Sequence, residues 1–178
     1  YGQPMHCFDA DMVKGHKIVV RTQPEGTKFV TLDGEEHVLG THDLSICNAE
    51  EPMCIAGIFG GKGSGTYETT KNVVLESAYF HPTWIRKSAR RHGLSTDSSF
   101  RFERGVDPNG TIYALKQAAI LCQQLAGGKV SMQIRDVYPE PLSDFDVNLK
   151  YEYCDRLIGK KLGADTIKSI VTSLEMKI

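Results

Sequence analysis

The chain has 178 residues, 21 Lys and Arg against 22 Asp and Glu for a formal net charge of -1, and 40% hydrophobic and 24% charged residues. That length supports one well-filled core with a remnant, because single domains run to about 100–200 residues. A balance this close to zero excludes adhesion to phosphate through overall charge, and no apolar run reaches the ~18 residues of a helical membrane span. Any nucleic-acid contact therefore rests on a local patch.

Cys7, Cys47, Cys54, Cys122 and Cys154 are odd in number and scattered. They show neither the paired spacing of a zinc site nor the density of a disulfide scaffold, which points to a reducing, cytoplasmic setting. No charged-then-apolar leader opens the chain. Tyr1, with no initiator Met, reads as an internal start, and the whole as a piece of a longer protein.

In chain order, Lys17 to Thr22, Lys28 to Leu32, Glu36 to Leu39, Asp43 to Asn48 and Met53 to Ile58 are short β-rich runs broken by Gly, Asp and Pro, which predicts antiparallel strands. Asp33-Gly34 suits a type I′ hairpin turn. A further strand is expected over Asn72 to Ser77. A helix should begin at Pro82 and stop before Gly93, placing Arg86 with Arg90, and Lys87 with Arg91, at four-residue spacing.

Asp107-Pro108 opens a second helix whose stripe of Ile112, Leu115, Ala119 and Cys122 should lie against a sheet, with Gly127-Gly128 as its stop. Val130 to Tyr138 reads as a strand, and the prolines of 139–144 as a linker. Domains are accordingly placed at 1–143 and 144–178. The second holds a strand near Val147 and short helices over Tyr151 to Ile158 and Ala164 to Leu174, and is below the ~40 residues that fold alone.

The stretch from Arg86 to Pro108, RKSARRHGLSTDSSFRFERGVDP, sets six Arg and Lys among Asp97, Glu103 and Asp107. It can hold internal ion pairs and still face a polyanion, or form a solvated face. The run Gly57 to Gly65 fails as a phosphate loop: Ala56 stands at the first glycine position and Gly63 where Ser or Thr would bind magnesium. It fails as a dinucleotide fingerprint at Thr66. Bare backbone at Gly57, Gly60 and Gly61 still allows a ligand to come close; a flexible surface turn is the alternative.

His6 beside Cys7 suggests a Cys-His pair, but neighbours on an extended chain point to opposite faces. Glu76 follows the apolar Val73, Val74 and Leu75, and a buried carboxylate there needs a ligand or an arginine partner.

GQPMHCFD at 2–9, TLDGEEHVL at 31–39, AGIFGG at 56–61, LES at 75–77 and RRHGLSTDSSFRFERGVDP at 90–108 together resemble the beta subunit of bacterial phenylalanyl-tRNA synthetase, through nearly the whole chain. The first ~140 residues resemble its editing region, its third and fourth modules. The resemblance implies an α/β (α+β) three-layer sandwich: two stacked, largely antiparallel or mixed sheets under helices, followed by a truncated helical module.

It also implies hydrolysis of tyrosine wrongly attached to phenylalanine tRNA. Glu76 would accept the phenol proton, with His6 as its companion near the phenol or the ester and Pro4 shaping that wall. Ala56, Gly57 and Gly60 would form a backbone ledge, with Thr96 and Ser98 on the opposite rim. Ser98 stands where the family more often has Ala, and a Thr-Asn pair that precedes the first motif in the family is absent. Arg86, Lys87, Arg90 and Arg91 would guide tRNA. No metal or cofactor belongs to this region; ATP and Mg2+ serve the whole enzyme, a heterotetramer of two alpha and two beta chains. A docking module without chemistry and a small-ester hydrolase using His6 are the competing readings.

Overall fold

Eight short strands and five α-helices make up the computed structural model, which describes residues 1–178. All strand pairing is antiparallel and falls in three sheets. Strands β2 (Val19–Thr22), β5 (Leu44–Cys47), β6 (Pro52–Ile55) and β7 (Phe59–Gly60) form a four-stranded sheet in the order β2-β5-β6-β7. The hairpin of β3 (Thr27–Val30) and β4 (Glu36–Leu39) is stitched to it by N–H donation from Leu32 to Gly60 and from Lys62 to Val30, each at 3.0 Å. Strand β1 (Met5–Asp9) pairs with β8 (Val73–Ser77).

These five central runs and the strand ending at Ser77 follow the sequence reading; β1 was not among its strands. The class is α/β with antiparallel sheets, in three sheets where two were expected. The core gathers Phe8, Phe29, Leu39, Ile46, Ile55, Ile85 and Phe102, contributed by all three sheets and by the helices.

Helix α1 (Pro82–His92) starts at a proline and ends at Gly93 with φ 65, as its residues require, since that left-handed value costs glycine little. It buries Ile85, Ser88 and Ala89. Helix α2 (Asp97–Phe102) occupies what reads in sequence as a polar turn. Thr96 caps it by accepting from Ser99 N, while Ser99 Oγ accepts from Thr96 N. The usual Glu or Gln of that capping box is here a serine, which hides the signal.

A single 3-10 turn at Pro108–Gly110 leads into α3 (Thr111–Ala126), which ends at Gly127 with φ 70. Ser77 Oγ donates to Thr111 O at 2.8 Å and so ties the helix start to β8. The expected stripe is only partly used: Ala114 is its buried residue, and Leu121, Cys122 and Leu125 are exposed.

Three expectations are corrected. Val130 to Tyr138 forms no strand, and neither does the segment near Val147; residues 128–150 are exposed and without regular structure, because no neighbouring edge receives their backbone groups. The β3–β4 turn is not type I′. Asp33 keeps a negative φ and only Gly34, at 89, is left-handed. Gly34 N donates to Thr31 O and Thr31 N to Glu35 O, a three-residue turn with one glycine in the left-handed position.

Two compact units divide between Val137 and Tyr138. The second, Tyr138–Ile178, contains α4 (Tyr151–Ile158) and α5 (Ala164–Ser173), with Ile167 as its buried residue and Leu162 N donating to Asp155 Oδ1 at 3.0 Å.

Candidate functional site

Register decides the site. His6 on β1 is the direct partner of Glu76 on β8, so both side chains leave the same face, with Cβ atoms about 4.5–5.5 Å apart. Both line a cavity of about 100 Å³ together with Pro4, Gly57, Gly60 and Ser98. Residues separated by up to 94 positions in the chain thus meet because β1 and β8 close over the β6–β7 turn, and α2 packs against that turn.

Of the eight residues expected at the site, those six line the cavity and two do not. Ala56 is buried in the core beneath it. Thr96 acts from behind: its Oγ1 donates to Ile58 O at 2.8 Å. Ser98 Oγ donates to Gly57 O at 2.9 Å, so its hydroxyl is committed to the β6–β7 turn.

The glycines are held by packing as much as by access to a ligand. A Cβ on Gly60 would lie 2.7 Å from both His6 Cε1 and Leu32 Cδ1. One on Gly61 would lie 2.5 Å from Met53 O, and Gly57 has φ 68 with Phe80, Ile85 and Phe102 pressed against it. Gly60 and Gly61 are buried. The run is therefore not a loose surface turn.

Met5, Cys54, Ile58, Phe80 and Phe102 add to the apolar wall, beside Ile55 and Phe59 of the β6–β7 hairpin. Sequence reasoning missed them. Phe102 lies one helical turn after Ser98 and was legible only once α2 is recognised as a helix; Phe80 and Cys54 carry no local signal.

Burial pushes the Glu76 carboxyl up to about 7. It enters none of the ion pairs of the structure, which answers the arginine alternative left open by the sequence. His6 is pulled below its ordinary value by burial, so it is neutral near pH 7. Its Nε2 is buried without a hydrogen-bond partner, and its ring packs on Phe8 with centroids 4.3 Å apart. Burial, and then the charge of Glu76, raise the Cys54 thiol. The site thus combines a carboxyl poised between its two forms, a neutral imidazole and an aromatic wall. Cys7 has a thiol raised by burial, which leaves it a poor nucleophile for a Cys-His pair.

The basic helix divides in two. Arg91 Nη1 lies 2.8 Å from Asp43 Oδ1, and His92 Nε2 lies 3.0 Å from the same atom. Asp43 is fully buried and also accepts from Ser88 Oγ and, at 3.0 Å, from Gly40 N. Arg91 is thereby a structural partner, whereas Arg86, Lys87 and Arg90 are exposed and enter no ion pair. No group of three or more His, Cys, Asp or Glu gathers as a metal site, and no helix is long and apolar enough to cross a membrane.

An antiparallel α/β body with a small cavity between the β1–β8 pair, the β6–β7 turn and α2 defines the class, and residues 1–127 match the B3/4 domain. The chain belongs to that family. Over all 178 residues it is 64% identical to the phenylalanine–tRNA ligase beta subunit of Bacteroides fragilis strain YCH46. It is 62% identical to that of Bacteroides thetaiotaomicron and 47% identical to that of Geobacter metallireducens, again across the full chain. It spans 22% of the length of each of these relatives.

Proposed function

We propose that this chain is the hydrolytic editing part of a phenylalanine–tRNA ligase beta subunit, and that it removes tyrosine wrongly joined to tRNA(Phe). The observation that carries the reading is the pairing of His6 with Glu76 over an aromatic-walled cavity. A carboxyl desolvated at such a wall is a recognition group for a hydroxyl. A site that hydrogen-bonds a substrate hydroxyl rejects the analogue lacking it by about 10⁴–10⁵, while a purely apolar pocket separates the two by only about a hundredfold. Discrimination is therefore far easier at a second site that requires the phenol than at the site that first selects phenylalanine.

In this mechanism Glu76 accepts the phenol proton in a hydrogen bond that strengthens when the carboxyl is ionised. Neutral His6 offers Nε2 to the phenol or to the ester. A water, oriented by the tRNA terminus, attacks the aminoacyl carbonyl while backbone N–H groups near Gly57 and Gly60 steady the developing oxyanion. The ester C–O bond then breaks, the water's proton passes to the departing ribose oxygen, and free tyrosine and tRNA with its terminal hydroxyl result. No protein nucleophile forms a covalent intermediate. The cavity is smaller than the ~150 Å³ that holds a benzene ring, so a phenol enters by displacing part of the lining.

Arg86, Lys87 and Arg90 contact the phosphates of the acceptor end. The editing domain is assigned to 1–143 and the start of the next module to 144–178. ATP and Mg2+ act elsewhere in the whole enzyme, with the alpha subunit in an alpha2 beta2 assembly in the cytoplasm. A docking module without chemistry would pair Glu76 with an arginine, and Glu76 has no ion pair here.

The test is clearance of tyrosyl-tRNA(Phe) by the complete enzyme carrying Glu76→Ala. Tyrosyl-tRNA should persist while phenylalanylation continues. Clearance at the unmodified rate would overturn the reading.

A further inference from the structure

A second cavity, of about 260 Å³, opens between the end of α1 and α2; its wall includes Arg90, Leu94, Ser95, Phe100 and Glu103. It is not part of the site described above, yet the two share α2. Ser98 and Phe102 face the first cavity. Ser99 and Glu103 follow them by one residue each, about 100° further round the helix, and line the second. The two hollows thus lie on adjacent faces of the same helix.

The second cavity is preorganised. The Arg104 guanidinium lies 3.5 Å from the centroid of the Phe100 ring, and Nη1 of the same arginine donates to Glu103 Oε1 at 2.7 Å and to Phe100 O at 3.0 Å. One arginine thus fixes both an aromatic ring and a carboxylate. Phe100 remains 54% exposed, so its ring is open to a ligand on the side that Arg104 leaves free. Glu103 Oε2 accepts no hydrogen bond within the protein. Arg90 stands in the wall without an ion pair, and Arg86 lies one turn before it.

An exposed ring beside a fixed acceptor, with unpaired cations at the mouth, is the chemistry of an unpaired nucleobase. Bases stack on aromatic rings, Glu accepts from the exocyclic amino group of cytosine, and arginine neutralises phosphate. A peptide can supply a flat ring, but its uncharged backbone does not meet the arginines.

We propose that this cavity binds one unpaired cytosine of the single-stranded RNA end that delivers the aminoacyl group to the first cavity. Phe100 stacks the base, Glu103 accepts from its amino group and Arg90 takes the adjoining phosphate. The proposal rests on the editing reading above, and it adds a base-reading site on the adjacent face of α2.

The experiment uses the complete enzyme and tyrosyl-tRNA acylated chemically on tRNAs in which each unpaired cytosine of the acceptor end is replaced in turn by uridine. The unmodified enzyme should clear one of these about tenfold more slowly, in keeping with the ~1–3 kcal/mol carried by a good base-edge contact. Glu103→Gln should flatten that preference to about twofold, since an amide serves uridine as well as cytosine. Phe100→Leu should slow clearance about tenfold on every tRNA, and Phe100→Trp should restore it, as loss of a stacking ring predicts. A merely structural role would not move the base preference.

Normal clearance and unchanged base preference in both Phe100→Leu and Glu103→Gln, alongside a defective Glu76→Ala enzyme, would overturn this proposal and leave editing intact. A separate readout stands even if Glu76→Ala clears tyrosyl-tRNA normally. A single-stranded oligoribonucleotide carrying 2-aminopurine should be quenched less by Phe100→Leu enzyme than by unmodified enzyme. Equal quenching would overturn the base pocket independently of editing.

Discussion

The hydroxyl of Ser98 donates to the carbonyl oxygen of Gly57 at 2.9 Å, so the first residue of the cavity's rim is tethered to the turn that forms its floor. The Ser98 hydroxyl therefore adds no free donor to the cavity. It locks α2 onto the β6–β7 turn, in parallel with Thr96 on Ile58 O.

Ser98→Ala should accordingly cost about 0.5–1.5 kcal/mol, the net worth of one such bond. Clearance of tyrosyl-tRNA by the complete enzyme should stay within about threefold, which corresponds to under 1 kcal/mol of barrier. A denaturation midpoint and a deacylation rate check the two halves. A large rate loss without a change in stability would mean that the hydroxyl faces substrate instead.

Glu76 gives a pH signature. Its folded value of about 7 lies above the ordinary 4.5, so the folded protein holds a proton that the unfolded chain releases between those values. Stability from this group is therefore full below about pH 4.5, declines towards pH 7 and is flat above it, by an amount on the order of 3 kcal/mol. Glu76→Gln should remove that decline. Urea unfolding of both forms at pH 5 and pH 8 checks it, with the difference between the two forms changing in favour of Gln at the higher pH. Tyrosine discrimination should move the other way and improve as pH rises through 7, because the ionised carboxyl is the better acceptor.

Gly60→Ala tests the close approach to His6. Its backbone is not left-handed, so strain comes from the Cβ alone, 2.7 Å from His6 Cε1 and Leu32 Cδ1. Overpacking of this kind costs about 1–3 kcal/mol. Editing should fall more steeply than stability, since the ring that must yield is the one in the cavity. Measuring melting and tyrosyl-tRNA clearance together separates the two effects.

Asp43 and its partners predict a split among the arginines. Burial raises this carboxyl, but the hydrogen bond from Ser88, the nearby His92 ring and the Gly40 N–H outweigh it and hold the group below its ordinary value. Its contribution is thus present above about pH 4 and lost as acid brings the pH through the lower folded value. Asp43→Asn should destabilise by about 3–5 kcal/mol, the usual cost of breaking a buried charged pair. Arg91→Ala should lower stability with little change in tRNA affinity, while Arg86→Glu with Arg90→Glu should weaken tRNA binding and flatten its salt dependence. Unfolding curves and tRNA titrations at two salt concentrations distinguish them.

Much of the fold was written locally. Pro82 and Gly93 bound α1, the Gly127 stop ended α3, and the alternating runs before residue 60 became strands, because proline, glycine and side-chain alternation act over a few residues. Where a local signal was altered, the reading failed: Ser99 in place of Glu concealed α2, and the β-like composition of Val130 to Tyr138 met no strand with which to pair. A strand requires a neighbour, and that neighbour is not a property of its own sequence.

The resemblance carried by GQPMHCFD, AGIFGG, LES and RRHGLSTDSSFRFERGVDP implied eight site residues, of which Pro4, His6, Gly57, Gly60, Glu76 and Ser98 line the cavity and Ala56 and Thr96 do not. Only the tertiary structure decided that β1 and β8 align His6 with Glu76, that Arg91 belongs to Asp43 and that Thr96 works from behind the wall. Protonation and partner choice depend on what surrounds a side chain after distant segments have packed. The amino-acid order names the candidates; burial and register determine which of them touch.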